Sequence, residues 1–475
     1  MKFYAGLLKQ IIKGKSFNLQ DDYRFSFLDI AKPTGELALS IDYSKPLYFA
    51  LFEKNDNGWY NSDIDKKSKV NLFVENNPNG AILTEDADIC LKYSSHFRTI
   101  YVDNISESII DLFNFALKFS NPKIISLTGS VGKTTAIALI EDIIATEKQV
   151  LRLYSKRITP LNLYSMVINF LEEYHEYIAF EASLNRFSHV GELASILLPD
   201  FASILNIGDA HLGMEDIRTH QDIFNSKVRL FQKNTLPFVN LDDNVTRRNL
   251  ASINRPYITF GIDKANDPVY SVDFRENNVS ILKDGASILS CAPFLLTRLS
   301  VSQILACSAI ASHIGIRGEN IERAVSSFVP KENRIKAFDY MNKKIIFDGD
   351  VTLSSRLKEL SNNYYFDPAL VISNIFTSSD SADAINFQKG QIESEVFPKF
   401  KKVFVADNCD HHGILKGINY NCQYFSPENF SKIINSWTGD MILHHAVFFR
   451  DDSPFQKMGA YCEISIFLRS LEGLR

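Results

Sequence analysis

The chain has 475 residues, of which 45% are apolar and 23% charged, an ordinary globular composition that predicts about two to four domains. Its 56 acidic and 51 basic residues leave a net charge of -5. That balance argues against a nucleic-acid binder or a protein drawn to anionic membranes, and it points to small-molecule partners.

From the N-terminus, "MKFYAGLLKQIIKGKSF" threads Lys9, Lys13 and Lys15 through its apolar residues, so no signal peptide is expected. Short β-like runs, "PLYFALF" and "VNLFVE", separated by polar turns, predict a small α/β module over 1–120. From Lys123 the alternation sharpens. Strands are predicted at 123–128, 150–155, 177–183, 201–207 and 237–241, with helices up to 144 and at 161–174, 189–198 and 217–232. Alternation at this spacing means a mostly parallel sheet wrapped by helices. Beyond Pro256 come β-rich segments and two helical stretches, 301–316 and 319–328, which complete a central domain over 121–330. The polar stretch 329–344 reads as a linker into a third unit, 331–475, whose strands fall at 344–349, 369–375, 402–407 and 440–449.

The most apolar later region, Leu295 to Ile316, carries Arg298, Gln303 and His313, too polar for membrane insertion. The cysteines (Cys90, Cys291, Cys307, Cys409, Cys422 and Cys462) form no C-x-x-C pair, which suits a reducing, cytoplasmic setting. The oligomeric state is not encoded in any visible pattern.

The first predicted central strand runs into "TGSVGKTT", comprising Gly129, Ser130, Val131, Gly132, Lys133, Thr134 and Thr135 after Thr128. A strand-to-helix turn ending in Gly-Lys-Thr lets backbone N–H groups converge on phosphate oxygens at the positive end of a helix. Lys133 adds a mobile cation, and Thr134 offers a hydroxyl to Mg²⁺. The bare hexapeptide also occurs by chance, but the strand before it and the helix after it favour the phosphate reading. The loop is short: the standard signature is G-x-x-x-x-G-K-[ST], and here two residues separate the glycines.

In this short form the loop resembles that of the Mur ligase family, the ATP-dependent amide ligases of peptidoglycan precursor synthesis. Further matches follow in order: "IAFEAS" with Glu181; "HVGELASILLPDFASILNIGDAHLG" with His211; "FNSKVRLF" with Lys227; and "VNLDD" with Asn240, Asp242 and Asp243. Their order is most similar to the subfamily that adds D-alanyl-D-alanine. The resemblance implies a three-domain α/β fold with a central P-loop sheet flanked by smaller α/β domains. It also implies ATP and two Mg²⁺ ions, and an amide formed from a carboxylate and an amine through an acyl phosphate.

The resemblance assigns Mg²⁺ ligation to Thr134, Glu181, His211 and Lys227, the last as a carbamylated lysine. From the residues alone, Glu181 could be a solvated strand-end carboxylate, His211 a structural or substrate-orienting group, and Lys227 a solvated helix lysine. The resemblance further implies that Arg334 contacts phosphate, Asp348 contacts ribose, and Gln303 stands nearest the family's adenine-facing asparagine. Arg334 on its own reads as an exposed linker residue.

Departures cluster in the C-terminal unit. "FDGDVTLSS" keeps Asp348 but lacks the subfamily's Tyr-Asn-Ala-Asn-Pro tract, and "GDMILHHAVF" places His444 and His445 where the family has lysine and glycine. Different amine recognition follows, and the general base for the amine is not identifiable. The pairs His411–His412 and His444–His445 invite a zinc reading, but adjacent strand residues point to opposite faces, so exposed or partner-contacting histidines are expected. A P-loop phosphotransferase or switch, and a non-catalytic binding protein with a worn third domain, remain the rival readings.

Overall fold

A computed structural model describes residues 3–25, 27–29, 48–52, 70–71, 74–75, 78–154, 158–184, 186–213, 216–275, 278–330, 335–348, 357, 368–374, 382–407, 414–415, 417–418, 420–426 and 429–445. The chain is α/β throughout. It divides into two compact units, one drawn from Met1–Ile125, Lys148–Ala182 and Glu192–Asp200, the other from Ser126–Glu147, Ser183–Gly191 and Phe201–Arg475.

In the first unit, strands β1 (Lys15–Phe17), β2 (Phe27–Asp29), β3 (Tyr48–Phe52), β4 (Ala81–Thr84) and β5 (Thr99–Tyr101) form a five-stranded sheet in the order β1-β5-β4-β3-β2. Helices α1 (Ala5–Ile12), α2 (Ala87–Tyr93) and α3 (Ile105–Ser120) accompany it. The described part of "VNLFVE" (Val70, Asn71, Val74 and Glu75) is helical, not extended. Val70 is buried with Ile82, Ile89, Tyr93 and Phe97, so packing overrides the β-propensity of its valines.

A nine-stranded sheet follows. Its strands are β6 (Lys123–Thr128), β7 (Val150–Leu153), β8 (Tyr177–Glu181), β9 (Phe201–Ile204), β10 (Leu236–Asn240), β11 (Ile258–Phe260), β12 (Tyr270–Arg275), β13 (Asn278–Lys283) and β14 (Ala286–Cys291). The order is β14-β13-β12-β11-β10-β9-β6-β8-β7. Pairing is parallel for β7–β8 and from β9 through β12, then antiparallel across β12, β13 and β14. The helices of this region are α4 (Lys133–Ile144), α5 (Pro160–Phe170), α6 (His189–Ile196), α7 (His220–Lys227), α8 (Asn244–Arg248), α9 (Arg298–His313) and α10 (Gly318–Ser327).

Two helix ends differ from expectation. α5 begins where Thr159 accepts the Asn162 N–H and Pro160 takes the first turn, and it stops at Phe170 because Leu171 is extended (φ -73, ψ 123). α7 starts only at His220, where Thr219 and Asp222 form a capping box, and Val228–Leu230 continue as a 3-10 turn.

The last sheet has six strands: β15 (Lys336–Tyr340), β16 (Lys343–Asp348), β17 (Ala369–Asn374), β18 (Val403–Ala406), β19 (Cys422–Phe425) and β20 (Met441–His445), in the order β15-β16-β20-β17-β18-β19. Pairing is parallel except for β15 with β16. Helix α11 (Ala382–Gln391) lies between β17 and β18 in the chain, and α12 (Phe430–Ser436) precedes β20. The supposed linker is thus partly sheet. Its residues 336–340 pair antiparallel with β16 through a turn in which Met341 and Asn342 are both left-handed (φ 47 and 62), the signature of a two-residue hairpin. The apolar centre of this region is a continuous cluster that includes Ile345, Ile346, Val371, Phe397, Phe430 and Leu443.

Candidate nucleotide-phosphate site

β6 is buried from Ile124 to Thr128, as a central parallel strand should be, and delivers the chain to Gly129. Gly132 sits at the N-cap of α4 in the left-handed region (φ 83), where a β-carbon would also run into the Gln303 amide. Glycine is therefore required here on two grounds, backbone conformation and space. An α-helix offers no intrahelical acceptor to the N–H groups of its first turn, and α4 opens with Lys133, Thr134 and Thr135. The turn has the form of an anion cradle.

Every face of the loop is braced. The Asn206 side chain, just past β9, accepts from the N–H groups of Ser130 and Val131 at 2.9 Å each and donates to the Val131 carbonyl at 3.0 Å. The Ser130 hydroxyl donates to the Gly208 carbonyl (3.1 Å) and accepts from the Gly208 N–H (2.8 Å). Lys227, completely buried, donates to the Gly129 carbonyl at 2.9 Å. Asn240 donates to the Leu205 carbonyl at 2.7 Å, while Asp243 accepts the Ile207 N–H at 2.8 Å and caps α8. Asp242 accepts the N–H groups of Ile262 and Asp263. The "VNLDD" run thus fastens the loops at the carboxyl edge of the sheet.

Several expectations change. Lys227 is not a solvated helix lysine, because α7 turns it inward beneath the phosphate loop. Gln303 does not stand out toward a base. It is 3% exposed and donates to the Gly132 carbonyl at 2.8 Å, because α9 packs along α4 closely enough for Cys307 to donate to the Ala136 carbonyl. Asp348 is not a surface carboxylate open to a ribose. It faces His444 across adjacent parallel strands, Oδ2 to Nδ1 3.1 Å, and both side chains are fully buried. The expectation of an exposed His444 fails for the same reason. Arg334, His411 and His412 lie outside the described residues.

Lys133 reaches the Ser130 carbonyl at 3.4 Å. Thr134 is partly buried and Thr135 buried in the first turn of α4. Glu181 ends β8, at the carboxyl edge of a sheet strand, and belongs to the first unit. His211 adopts φ 78, uncommon for a residue with a side chain. Burial, and then the Lys227 and Lys133 cations, hold its pKa well below the usual histidine value, so the ring is neutral at pH 7 with a lone pair to offer. Among the described residues no three His, Cys, Asp or Glu side chains gather as a metal cage, and none of their helices is long and apolar enough to cross a membrane.

Sequence reading missed Asn206 as a functional residue, although it lies within the quoted "ILNIGDAHLG". Its position at the carboxyl end of a predicted parallel strand, the edge at which open α/β sheets bind ligands, was the available signal.

Residues 127–311 match the Mur ligase middle domain. The UDP-N-acetylmuramoyl-tripeptide–D-alanyl-D-alanine ligase of Rickettsia prowazekii is 26% identical over 215 residues, covering 42% of this chain and 47% of that protein. The chain spans about half the length of the curated relatives first matched. Among solved structures, MurF from Acinetobacter baumannii superposes with a TM-score of 0.74 at 16% identity, covering 98% of each chain. MurF ligase from Thermotoga maritima in complex with ADP gives 0.66 at 16% identity, covering 90% of this chain and 96% of that one. The fold is that of these multi-domain ligases.

Proposed function

We propose, for a chain whose residues 127–311 match the Mur ligase middle domain, that it is an ATP-dependent ligase forming an amide between a substrate carboxylate and an amine. The observation that carries this reading is the short phosphate loop, clasped by Asn206 and Gln303 and underlain by a buried lysine. Residues 1–120 would take the carboxylate substrate, 121–330 the nucleotide and 331–475 the amine. The carboxylate is assigned to a cell-envelope sugar, a uronic acid or a specialised metabolite.

In the first step a carboxylate oxygen attacks the γ-phosphorus of ATP, giving an acyl phosphate and ADP. In the second the amine attacks the carbonyl carbon, phosphate departs with the C–O electron pair, and the amine loses a proton. Two anions must first meet. Lys133 and the N–H groups at the start of α4 lower that repulsion and stabilise charge on the transferring phosphoryl group, so the protein's contribution is positioning and electrostatics. Magnesium, when bound, would neutralise phosphate charge, and Thr134 and the neutral ring of His211 are the groups of this chain that would hold it. Glu181 is assigned the same role on the sequence resemblance alone.

The test is product analysis: ADP and phosphate should accumulate only when carboxylate and amine are both supplied, across a screen of pairs. Phosphate released at the same rate with neither substrate would instead support a simple ATPase.

Carbamylation of Lys227 belongs to this proposal. It would replace a cation by an anion beside His211, reversing the field that now depresses the histidine pKa. With ¹³C-bicarbonate, a carbamate carbon resonance is expected in the native protein and should vanish in Lys227→Met. No resonance at saturating bicarbonate would leave Lys227 as the plain ammonium that bonds the Gly129 carbonyl.

A further inference from the structure

Relative to the standard signature the phosphate loop lacks two residues between its glycines, and each missing peptide unit means a missing C=O and a missing N–H. The Asn206 carboxamide carries one such pair of groups and bonds the stretch between the glycines. Its oxygen accepts from Ser130 and Val131, and its nitrogen donates to the Val131 carbonyl. The Asn206 main chain joins in, its carbonyl sharing the Ser130 N–H at 3.0 Å, and Leu205 donates to the Thr128 carbonyl at 2.8 Å.

We propose that Asn206 is a positioning residue for the nucleotide phosphates, its side chain acting as a surrogate peptide unit that completes the shortened loop. The inference rests on the phosphate-site reading and deepens it. It has a geometric corollary. The Ser130 and Val131 N–H groups are engaged by Asn206, so the phosphate contacts fall to Gly132, Lys133, Thr134 and Thr135, which follow the left-handed turn. The paired Ser130–Gly208 hydrogen bonds fix the same stretch from the other side, three residues before His211. Asn206 therefore keeps the loop and the His211 segment in register without itself reaching a ligand.

A purely structural asparagine would affect stability or all ligands alike, whereas a surrogate peptide affects the phosphates. The experiment measures binding of Mg-ATP, tripolyphosphate and adenosine by calorimetry to the full chain and to Asn206→Ala and Asn206→Asp, with thermal unfolding alongside. Asn206→Ala is expected to lose tenfold or more in affinity for Mg-ATP and tripolyphosphate and to keep adenosine binding within about twofold. Asn206→Asp is nearly isosteric. It retains the two acceptor bonds, loses the donor to Val131 and sets a negative charge beside the phosphates, so it should lose at least as much while unfolding near the wild-type temperature.

Wild-type affinity for tripolyphosphate in a folded variant overturns the proposal, as does an equal loss for adenosine. If Asn206→Ala does not fold, Asn206→Asp decides alone. A wild-type protein that binds neither Mg-ATP nor tripolyphosphate would overturn the phosphate site itself and the proposal with it. Wild-type binding with unaffected variants removes only the role of Asn206.

Discussion

Lys133→Ala should retain its fold and lose about 10²–10³-fold in the rate of ADP formation under saturating substrates. The side chain stands at the mouth of a turn whose geometry is set by others: Gly132 by its left-handed backbone, Gln303 by its bond to the Gly132 carbonyl, Asn206 by its three bonds to the loop. The Lys133 contact to the Ser130 carbonyl, at 3.4 Å, lies at the long edge of hydrogen bonding, and the turn itself is held by Gly132, Gln303 and Asn206. What it removes is a positive charge next to a dianionic phosphoryl group as it approaches a carboxylate. Coupled-assay rates and unfolding temperatures on the same preparation separate the two effects. A rate within tenfold of wild type would mean that the lysine does not face the transferred group.

His444→Leu should be costly for stability rather than for nucleotide contact, lowering the stability of the C-terminal sheet by about 1–3 kcal/mol, the scale for removing one partner of a buried hydrogen bond. The substitution removes the ring that faces Asp348 on the neighbouring strand, where both side chains are fully buried. Breaking a buried pair on one side is far worse than removing both partners, so the double variant Asp348→Leu, His444→Leu should recover most of the loss. Hydrogen exchange of β16 and β20 amides against denaturant is the suitable readout, since a multi-domain chain need not unfold in two states. A single-variant loss below about 1 kcal/mol would show that the carboxyl group does not depend on the His444 ring.

The central alternation was readable because each parallel strand is a continuous apolar run and each helix start carries its own signal, as at Thr159–Pro160 and Thr219–Asp222. Less visible was anything that depends on a partner far along the chain. A histidine doublet reads as exposed until the register sets His444 opposite Asp348. A lysine on a polar helix reads as solvated until α7 is packed so that Lys227 points under Gly129. The bond of Gln303 to the Gly132 carbonyl was not visible, because sequence spacing does not say which side of α9 meets α4. The hairpin at 336–348 was obscured by Met341, an unusual residue for a left-handed position, although Asn342 beside it is a common one. The short loop was legible as a departure, but its remedy was not, since Asn206 lies 75 residues beyond Val131.

The first compact unit gathers its material from three separated stretches, Met1–Ile125, Lys148–Ala182 and Glu192–Asp200. During translation, then, the contacts that join the opening quarter of the polypeptide to 148–182 and 192–200 form only after those segments are made. The order of synthesis thus sets the order in which this unit can be completed.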